Sequence, residues 1–175
     1  MTTASVSTND LLRFLRRLRA VKEYTDEAID QQVIENMLEV GRWSGSGANR
    51  QPTEVVVILD AAVKRKFGEW GARPAAGAGV VFLLVSASEQ SGFDEGRMAE
   101  RLLLAAAAHG LGSTVATLKN GGPDEAKKLL GIPAERRART IVAVGRPVPG
   151  QRPTLGPNMP GGRKSLTEYA HWDRF

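Results

Sequence analysis

The sequence predicts a single domain of the α/β (α+β) class that ends in an extended C-terminal tail. Its 175 residues suit one domain of ordinary size and leave little room for a second core. Segments with helical spacing alternate with β-branched apolar runs of strand length. Hydrophobic residues at 42% and charged residues at 25% match the averages of globular proteins. We therefore expect residues 1–175 to form one domain, with residues 1–8 disordered.

The first half of the chain predicts helices, a polar loop and a strand. Apolar residues recur at helical spacing over Asn9–Arg19, which predicts a first helix. Asp30 is a suitable N-cap for a second helix that ends near Gly41. The segment Trp43–Pro52 is rich in Gly, Ser and Asn and predicts a loop. A β-branched strand and a short helix follow, at Glu54–Leu59 and Ala61–Trp70.

The second half predicts a buried central strand and the longest helix. Gly79–Ser86 is apolar without alternation, so we expect a strand buried on both faces in the middle of the sheet. Asp94–His109 has acidic residues at its start and an Ala-rich body, and Gly110 stands where a helix C-terminus favours glycine. The remaining predicted elements are a strand at Ser113–Leu118, a helix at Asp124–Leu130 and a strand at Thr140–Gly145.

The last thirty residues, 146–175, form a proline-rich segment. Its five prolines are Pro147, Pro149, Pro153, Pro157 and Pro160. Proline removes backbone donors and resists regular structure, so this segment is predicted to be an extended tail that becomes ordered on another surface. Apolar side chains for such a contact are Leu166, Tyr169, Trp172 and Phe175.

Composition and charge exclude several classes of protein. With no cysteine and only two histidines, the chain predicts neither a disulfide framework nor a metal site. The first ten residues lack the pattern of a secretory signal, and no apolar run is long enough to span a membrane, so we expect a cytoplasmic protein. The net charge of +5 is clustered near both chain ends and has no accompanying nucleic-acid-binding motif, so no nucleic-acid partner is predicted.

Basic residues near both ends of the chain are candidates for binding a phosphate. Arg19 and Lys22 flank Ala20 at the predicted end of the first helix, where two cations can converge on one anion. Arg163 and Lys164 in the tail could complete the same site. The alternative is a set of solvated cations on a helix face and a tail.

Two further segments suit a ligand with alternating hydrogen-bond donors and acceptors. Ser46, Asn49 and Gln51 lie within one short loop that leads into a strand, and their side chains offer both functions. Leu111 and Gly112 follow the long helix, where the small residue allows a backbone to approach a ring system. Ordinary loop hydrogen bonding and a simple helix stop are the alternatives.

In this order, the motifs resemble those of the FMN-dependent nitroreductase family. Arg19-Ala-Val-Lys-x-Tyr is similar to the family's Arg-Ser-Val-Arg-x-Phe, and Ser46 to Pro52 is similar to its Ser-x-x-Asn-x-Gln-Pro loop. Gly110-Leu-Gly resembles the Gly-Leu-Gly after its central helix, and Arg163-Lys resembles its closing Arg-Lys pair. The resemblance covers about residues 10–172.

This resemblance implies a fold, a cofactor and a partner. The fold is a central mixed sheet flanked by helices, the cofactor is FMN, and the partner is a second copy wrapped by the tail at residues 146–175. The residues assigned to FMN are Arg19, Ala20, Lys22, Ser46, Asn49, Gln51, Leu111, Gly112, Arg163 and Lys164. The chain departs from the family pattern at Leu18, Ala20, Gly45 and Thr53, where a second basic residue, Ser, Pro and an aromatic residue are common.

The implied activity is electron transfer from NAD(P)H to a nitroaromatic, a quinone or a related electron-poor molecule by a ping-pong mechanism. No catalytic side chain is expected, because the flavin N5 carries the chemistry. Alternatives with the same fold and cofactor are reductive dehalogenation, flavin-fragmenting biosynthesis, an oxidase step and a non-catalytic flavin-binding protein.

Overall fold

The computed structural model describes residues 6–150 and 162–175. The helices are α1 (Thr8–Arg17), α2 (Gln31–Arg42), α3 (Ala61–Glu69), α4 (Gly92–Ala108), α5 (Gly122–Leu130) and α6 (Leu166–Tyr169). The strands are β1 (Thr53–Ile58), β2 (Val80–Ser86), β3 (Gly112–Thr117) and β4 (Arg137–Gly145). A mixed helix-and-strand domain therefore forms, and the predicted fold class is confirmed.

The four strands make one sheet in the order β1-β2-β4-β3. Each neighbouring pair of strands is antiparallel, and a parallel element enters through an isolated bridge between Ala20 and Ser113. Strand β2 lies inside the sheet and every one of its residues is buried. This confirms the central position predicted from its continuous apolar run. Because β2 is covered on both faces, alternation of polar and apolar residues is absent from it.

Alternate residues of β2 enter two apolar clusters on opposite faces of the sheet. On one face, Leu83 packs in a cluster with Phe67 of α3. On the other face, Phe82 packs in a cluster with Met37 of α2 and Leu102 of α4. Complete burial of such a side chain contributes about 1.5 to 3 kcal/mol, so these layers hold the helices on the sheet.

The first helix is shorter than the sequence predicts. We expected it to continue to Arg19, but α1 ends at Arg17 and Leu18 has extended backbone angles. The physical reason is that the next residues leave the helix to pair with β3. The N–H of Val21 donates to the carbonyl of Ser113 at 2.9 Å, which an α-helical conformation of this segment would not allow.

The C-terminal segment contains a helix that the prediction of an extended tail missed. The hydroxyl of Ser165 accepts from the N–H of Glu168, and the carboxylate of Glu168 accepts from the N–H of Ser165, so the two residues form a capping box at the start of α6. The rest of 162–175 is highly exposed, including Trp172 at 84%. Part of the predicted tail, at 151–161, and residues 1–5 of the predicted disordered start lie outside the described residues, and Thr8 already belongs to α1.

Candidate flavin site

A cavity of about 740 Å³ lies between the end of α1, helix α4 and strand β3. Four of the predicted site residues line this cavity, namely Arg19, Ala20, Leu111 and Gly112. The other residues of its wall are Phe14, Arg17, Leu18, Val21, Glu100, Leu103, Ala107, Gly110, Ser113, Thr114 and Val115. The large cavity therefore combines cationic side chains at one wall with apolar side chains and strand backbone at another.

Close contact between Val21 and Gly112 fixes this wall of the large cavity. A methyl group at Gly112 would lie 2.7 Å from the Val21 side chain, so glycine is required by the approach of the two segments. Nearby, the Tyr24 hydroxyl lies 2.6 Å from the Val21 carbonyl and 3.1 Å from the Ala143 carbonyl, both of which can accept its proton. Burial raises the pKa of Tyr24 above its usual range. This tyrosine therefore locks the segment after α1 to the sheet as a neutral side chain.

The Arg19 guanidinium caps the C-terminus of α1 and has further N–H donors for a ligand. Its Nη1 donates to the carbonyls of Arg16 at 2.8 Å and Leu18 at 2.7 Å. The guanidinium has five N–H donors in a fixed plane, so Nη2 and Nε can serve an anion in the cavity. Arg17 also lines the large cavity, whereas the predicted Lys22 is exposed and is not part of its wall.

A second, small cavity of about 70 Å³ lies between α4 and the segment 44–52, which we call the Ser46 loop. From the predicted site residues it includes Ser46 and Gln51, and the Ser46 hydroxyl accepts from the Gln51 N–H at 2.8 Å. Asn49 is exposed beside them and does not line the small cavity. Its remaining lining residues are Arg42, Ser44, Gly45, Pro52, Thr53, Asp94 and Met98.

The Ser46 loop is strained and holds an unpaired hydroxyl. Ala48, Asn49 and Gln51 have φ values of 50°, 52° and 49°, a left-handed conformation that side chains other than glycine rarely adopt. The Ser44 hydroxyl oxygen is buried without a hydrogen-bond partner among the described residues. Strain and unsatisfied polar groups concentrate at ligand sites, so both features make this segment a candidate for binding a ligand.

The two cavities lie on opposite faces of α4. Asp94 and Met98 line the small cavity, and Glu100, Leu103 and Ala107 line the large one. Successive residues of a helix are rotated by about 100°, so the two sets point in nearly opposite directions. The helix thus separates the Ser46 loop from the large cavity of the same chain.

A buried network of hydrogen bonds and ion pairs adjoins the small cavity at Thr53. The Thr53 and Ser86 hydroxyls are 3.0 Å apart, and the Ser86 hydroxyl donates to the Glu95 carboxylate at 2.7 Å. Arg137 forms an ion pair with Glu95 and a second one with Glu89 at 3.0 Å. Thr53 lines the small cavity, so this network ties the end of the loop to α4 and β4.

Two guanidinium–aromatic pairs lie near the small cavity, and one of their members, Arg42, lines it. Arg42 lies 5.7 Å from the ring centre of Trp43, and its guanidinium pairs with Glu39 at 2.6 Å. Hydrogen bonds from Arg42 and then Trp43 lower the pKa of Glu39 to about 2. In the second pair, Arg97 lies 5.9 Å from the ring centre of Phe93. Flat apolar surface and positive charge therefore occur together at the rim.

The predicted tail cations are not brought to Arg19 within one chain. Arg163 and Lys164 are exposed, and the hydrogen bond given by the Arg163 guanidinium goes to the carbonyl of Gly162 at 3.4 Å. Neither lines the large cavity. Their role at a phosphate stays a prediction.

Sequence reasoning missed several residues that line the cavities. Arg17 and Glu100 belong to none of the motifs recognised in the sequence. Ser113, Thr114 and Val115 follow Gly112 directly, so extending the Gly-Leu-Gly motif into its strand would have found them. Ser44 lies in the predicted loop but precedes the motif at 46–52 by two residues, and its unpaired hydroxyl is visible only in three dimensions.

Among the described residues, no group of His, Cys, Asp and Glu is arranged to hold a metal ion. Within that same part of the chain, no helix combines the length and the apolar character needed to cross a bilayer.

Comparison with known proteins identifies the class of this domain. Residues 15–95 match the Nitroreductase family. A nitroreductase from Desulfovibrio desulfuricans, solved in complex with FMN, has a TM-score of 0.75 and 26% identity, over 97% of this chain and 99% of that one. The sheet, its flanking helices and the cavity beside α4 therefore define a domain of the nitroreductase fold.

Two curated relatives match shorter segments. The FMN reductase (NAD(P)H) of Bacillus subtilis strain 168 is 30% identical over 80 residues, which is 45% of this chain and 32% of that protein. The iodotyrosine deiodinase of Haliscomenobacter hydrossis is 37% identical over 54 residues, which is 31% of this chain and 24% of that protein. The matched segments thus span about a third or less of these relatives. With the family match and the shared fold, they show that this chain is similar to proteins of the nitroreductase family.

Proposed function

We propose that the protein is an FMN-dependent oxidoreductase that uses NAD(P)H to reduce small electron-poor molecules. The observation that carries this proposal is the large cavity, which joins the Arg17 and Arg19 guanidinium groups to the backbone of β3. Its volume of about 740 Å³ is that of a site for a cofactor-sized ligand. The FMN complex of the Desulfovibrio protein, which is similar over nearly its whole length, supports the choice of cofactor.

The residues in the large cavity fit the parts of FMN. Arg19, assisted by Arg17, would bind the phosphate, because guanidinium donors suit phosphate oxygens. Leu111, Gly112 and the first residues of β3 would lie along the ring. When bound, FMN would supply acceptance of electrons from a nicotinamide and their later donation to an acceptor. The protein would orient both partners and keep water from the site.

The Ser46 loop would reach the flavin of a second copy of the chain. Ser46, Asn49 and Gln51 are separated by α4 from the large cavity of their own chain. A homodimer would bring them to the partner's cavity, where they could bind the polar edge of the ring.

The surface of the chain supports this dimer. Helix α1 contains no buried residue, and its apolar side chains Leu11, Leu12 and Leu15 are exposed. The C-terminal segment exposes further large apolar side chains, and a second copy would cover both surfaces. Arg163 and Lys164, which do not line the large cavity of their own chain, would then reach the phosphate of the partner's FMN.

A second candidate activity is reductive removal of a halogen. The 37% identity with the iodotyrosine deiodinase over 54 residues favours it. It needs the same cofactor and differs in the acceptor. Halide release from a halogenated phenol, measured beside reduction of a nitroaromatic, distinguishes the two activities.

The visible spectrum of the purified protein tests the proposal. We expect a yellow protein with about one FMN per chain, which oxidises NADH or NADPH when a quinone or a nitroaromatic is added. Release of the cofactor by denaturation and its chromatography against FMN and riboflavin identify it. A colourless protein that binds no FMN in a titration would contradict the proposal.

A further inference from the structure

Gly45 and Arg97 fit against each other at the rim of the small cavity. A methyl group at Gly45 would lie 2.7 Å from Nη2 of Arg97 and 3.3 Å from its Cζ. The backbone at Gly45 does not have a positive φ, so its conformation does not require glycine. The absence of a side chain at this position therefore makes room for the Arg97 guanidinium. A proline, which is common here in the family, would occupy that space.

The charge of Arg97 is available to a ligand. Among the residues that the structure describes, Arg97 makes no ion pair, although Asp94 lies one helical turn away. The other guanidinium beside this cavity, that of Arg42, is held by Glu39 through contacts of 2.6 and 2.8 Å. Of the two, Arg97 is thus the one that can bind an added anion.

Flat apolar surfaces accompany this charge. Phe93 is 77% exposed and lies under the Arg97 guanidinium. Trp43, which precedes the cavity-lining Ser44 in the chain, is 68% exposed. Large aromatic side chains with such exposure suit stacking with a planar ligand. An anion attached directly to an aromatic ring would satisfy the charge and the stacking surface together.

We propose that Arg97, seated over Gly45, binds the anionic group of a planar aromatic electron acceptor, such as an aromatic carboxylate or sulfonate. This inference rests on the proposed function and its homodimer, because α4 separates the small cavity from the large cavity of the same chain, so the acceptor would meet the partner's flavin. It makes Arg97 a residue that selects substrates by charge. A nucleotide phosphate is also anionic, but it is attached to a ribose and not directly to an aromatic ring, so it fits this combination of charge and stacking surface less well.

A binding experiment without turnover tests the charge selection. Naphthalene-2-sulfonate and its neutral analogue naphthalene-2-sulfonamide are titrated by calorimetry into the oxidised holoprotein. The wild type should bind the sulfonate roughly ten-fold more tightly, as expected for one charge-assisted contact at an exposed site. Arg97→Gln should abolish this preference. Arg65→Gln, the same change on the exposed face of α3, should retain it.

Changing Gly45 tests the same site without removing the charge. Gly45→Ala should displace the flexible guanidinium and reduce the preference several-fold, with FMN content unchanged. Gly47→Ala is the control, because a methyl group there meets no atom within 4 Å. If Gly45→Ala and Gly47→Ala bind the sulfonate equally well, the role assigned to the Gly45 gap is wrong.

Kinetics with 4-nitrobenzoate and 4-nitrobenzamide complete the test. The wild type should favour the carboxylate in kcat/KM, and Arg97→Gln should lose that advantage but keep its activity with the amide. A wild type without charge preference, or an Arg97→Gln variant that keeps it, overturns the inference. A variant that changes only the ratio of NADPH to NADH use also overturns it, because the anion is then the reductant's. A wild type that holds no FMN and reduces neither compound refutes the proposed function instead.

Discussion

Glu95 and Arg137 form an ion pair at the end of the central strand, with the Glu95 side chain only 3% exposed. The Ser86 hydroxyl is a second donor to the same carboxylate. Removing one partner of a buried pair leaves a charge without compensation. Arg137→Met should therefore lower the free energy of unfolding by about 3 to 5 kcal/mol, measured by urea denaturation.

The double variant Glu95→Gln, Arg137→Met is the control for this prediction. It removes both charges and nearly preserves the volume, so it should recover much of the loss. If the double variant is as unstable as Arg137→Met, the loss comes from packing and the uncompensated charge is not its cause.

Arg19→Ala should weaken binding of FMN far more than binding of riboflavin, which has no phosphate. A charge-assisted contact contributes about 1.5 to 3 kcal/mol, or roughly one to two orders of magnitude in affinity. Fluorescence titration of the apoprotein with both flavins measures the difference. Arg13→Ala, within α1 and paired with Asp10 at 2.8 Å, is the matched control. Equal losses for the two flavins would show that Arg19 supports the pocket rather than the phosphate.

Gly112→Ala should destabilise the segment after α1. The added methyl group would meet the Val21 side chain at 2.7 Å, and the short, branched valine cannot move away as a long side chain can. Such overpacking costs about 1 to 3 kcal/mol. We expect a lower midpoint of thermal unfolding and weaker binding of FMN.

Gly96→Ala provides the opposite control. Gly96 lies within α4, and a methyl group there meets no atom within 4 Å. Alanine in a helix is favoured over glycine by about 0.5 to 1 kcal/mol, so this variant should be more stable than the wild type. Destabilisation by both alanines would mean that the contact with Val21 is not what distinguishes Gly112.

Deletion of residues 162–175 should abolish dimerisation and FMN binding together. The segment exposes Trp172 and Phe175 on the single chain and contains the tail cations Arg163 and Lys164. Sedimentation and FMN titration of the truncated protein check both effects. A folded monomer that still binds FMN as tightly as the full chain would refute the shared site.

Arg42→Gln should raise the pKa of Glu39 from about 2 towards its ordinary value of 4.5. The pKa is lowered in the folded protein, so the pair stabilises the fold fully above pH 4.5 and loses its effect as the pH falls towards 2. An NMR titration of the Glu39 side chain in both proteins measures the shift. Arg65→Gln should leave it unchanged, and a Glu39 that titrates normally in the wild type would contradict the contact.

The regular elements were predictable because local signals specify them. The unbroken apolar run of β2 indicates a strand buried on both faces, and Gly110, with a φ of 71°, ends α4 as predicted. The end of α1 was not predictable, because the pairing of Val21 with Ser113 decides it. This contact joins residues more than ninety positions apart, and nothing local in the sequence encodes it.

Parts of the candidate site were visible as motifs, and their arrangement was not. The motifs that contain Arg19, Ser46 and Gly112 were each recognised, but their order in the sequence does not show that α4 separates Ser46 from the other two. The contact between Gly45 and Arg97 was not predictable either. The absence of a proline at position 45 can be interpreted only when the position of the Arg97 guanidinium is known.

The strand order affects when, during folding, the cavity for a cofactor becomes complete. Strand β4 is the last of the four strands to be synthesised, yet it lies between β2 and β3. Until it inserts, β3 lacks the neighbour that holds it in the sheet, and the wall of the large cavity formed by Ser113–Val115 is incomplete. Such non-local pairing is slow compared with local helix formation. A flavin would therefore bind once the sheet is complete, and it would stabilise the folded state by mass action.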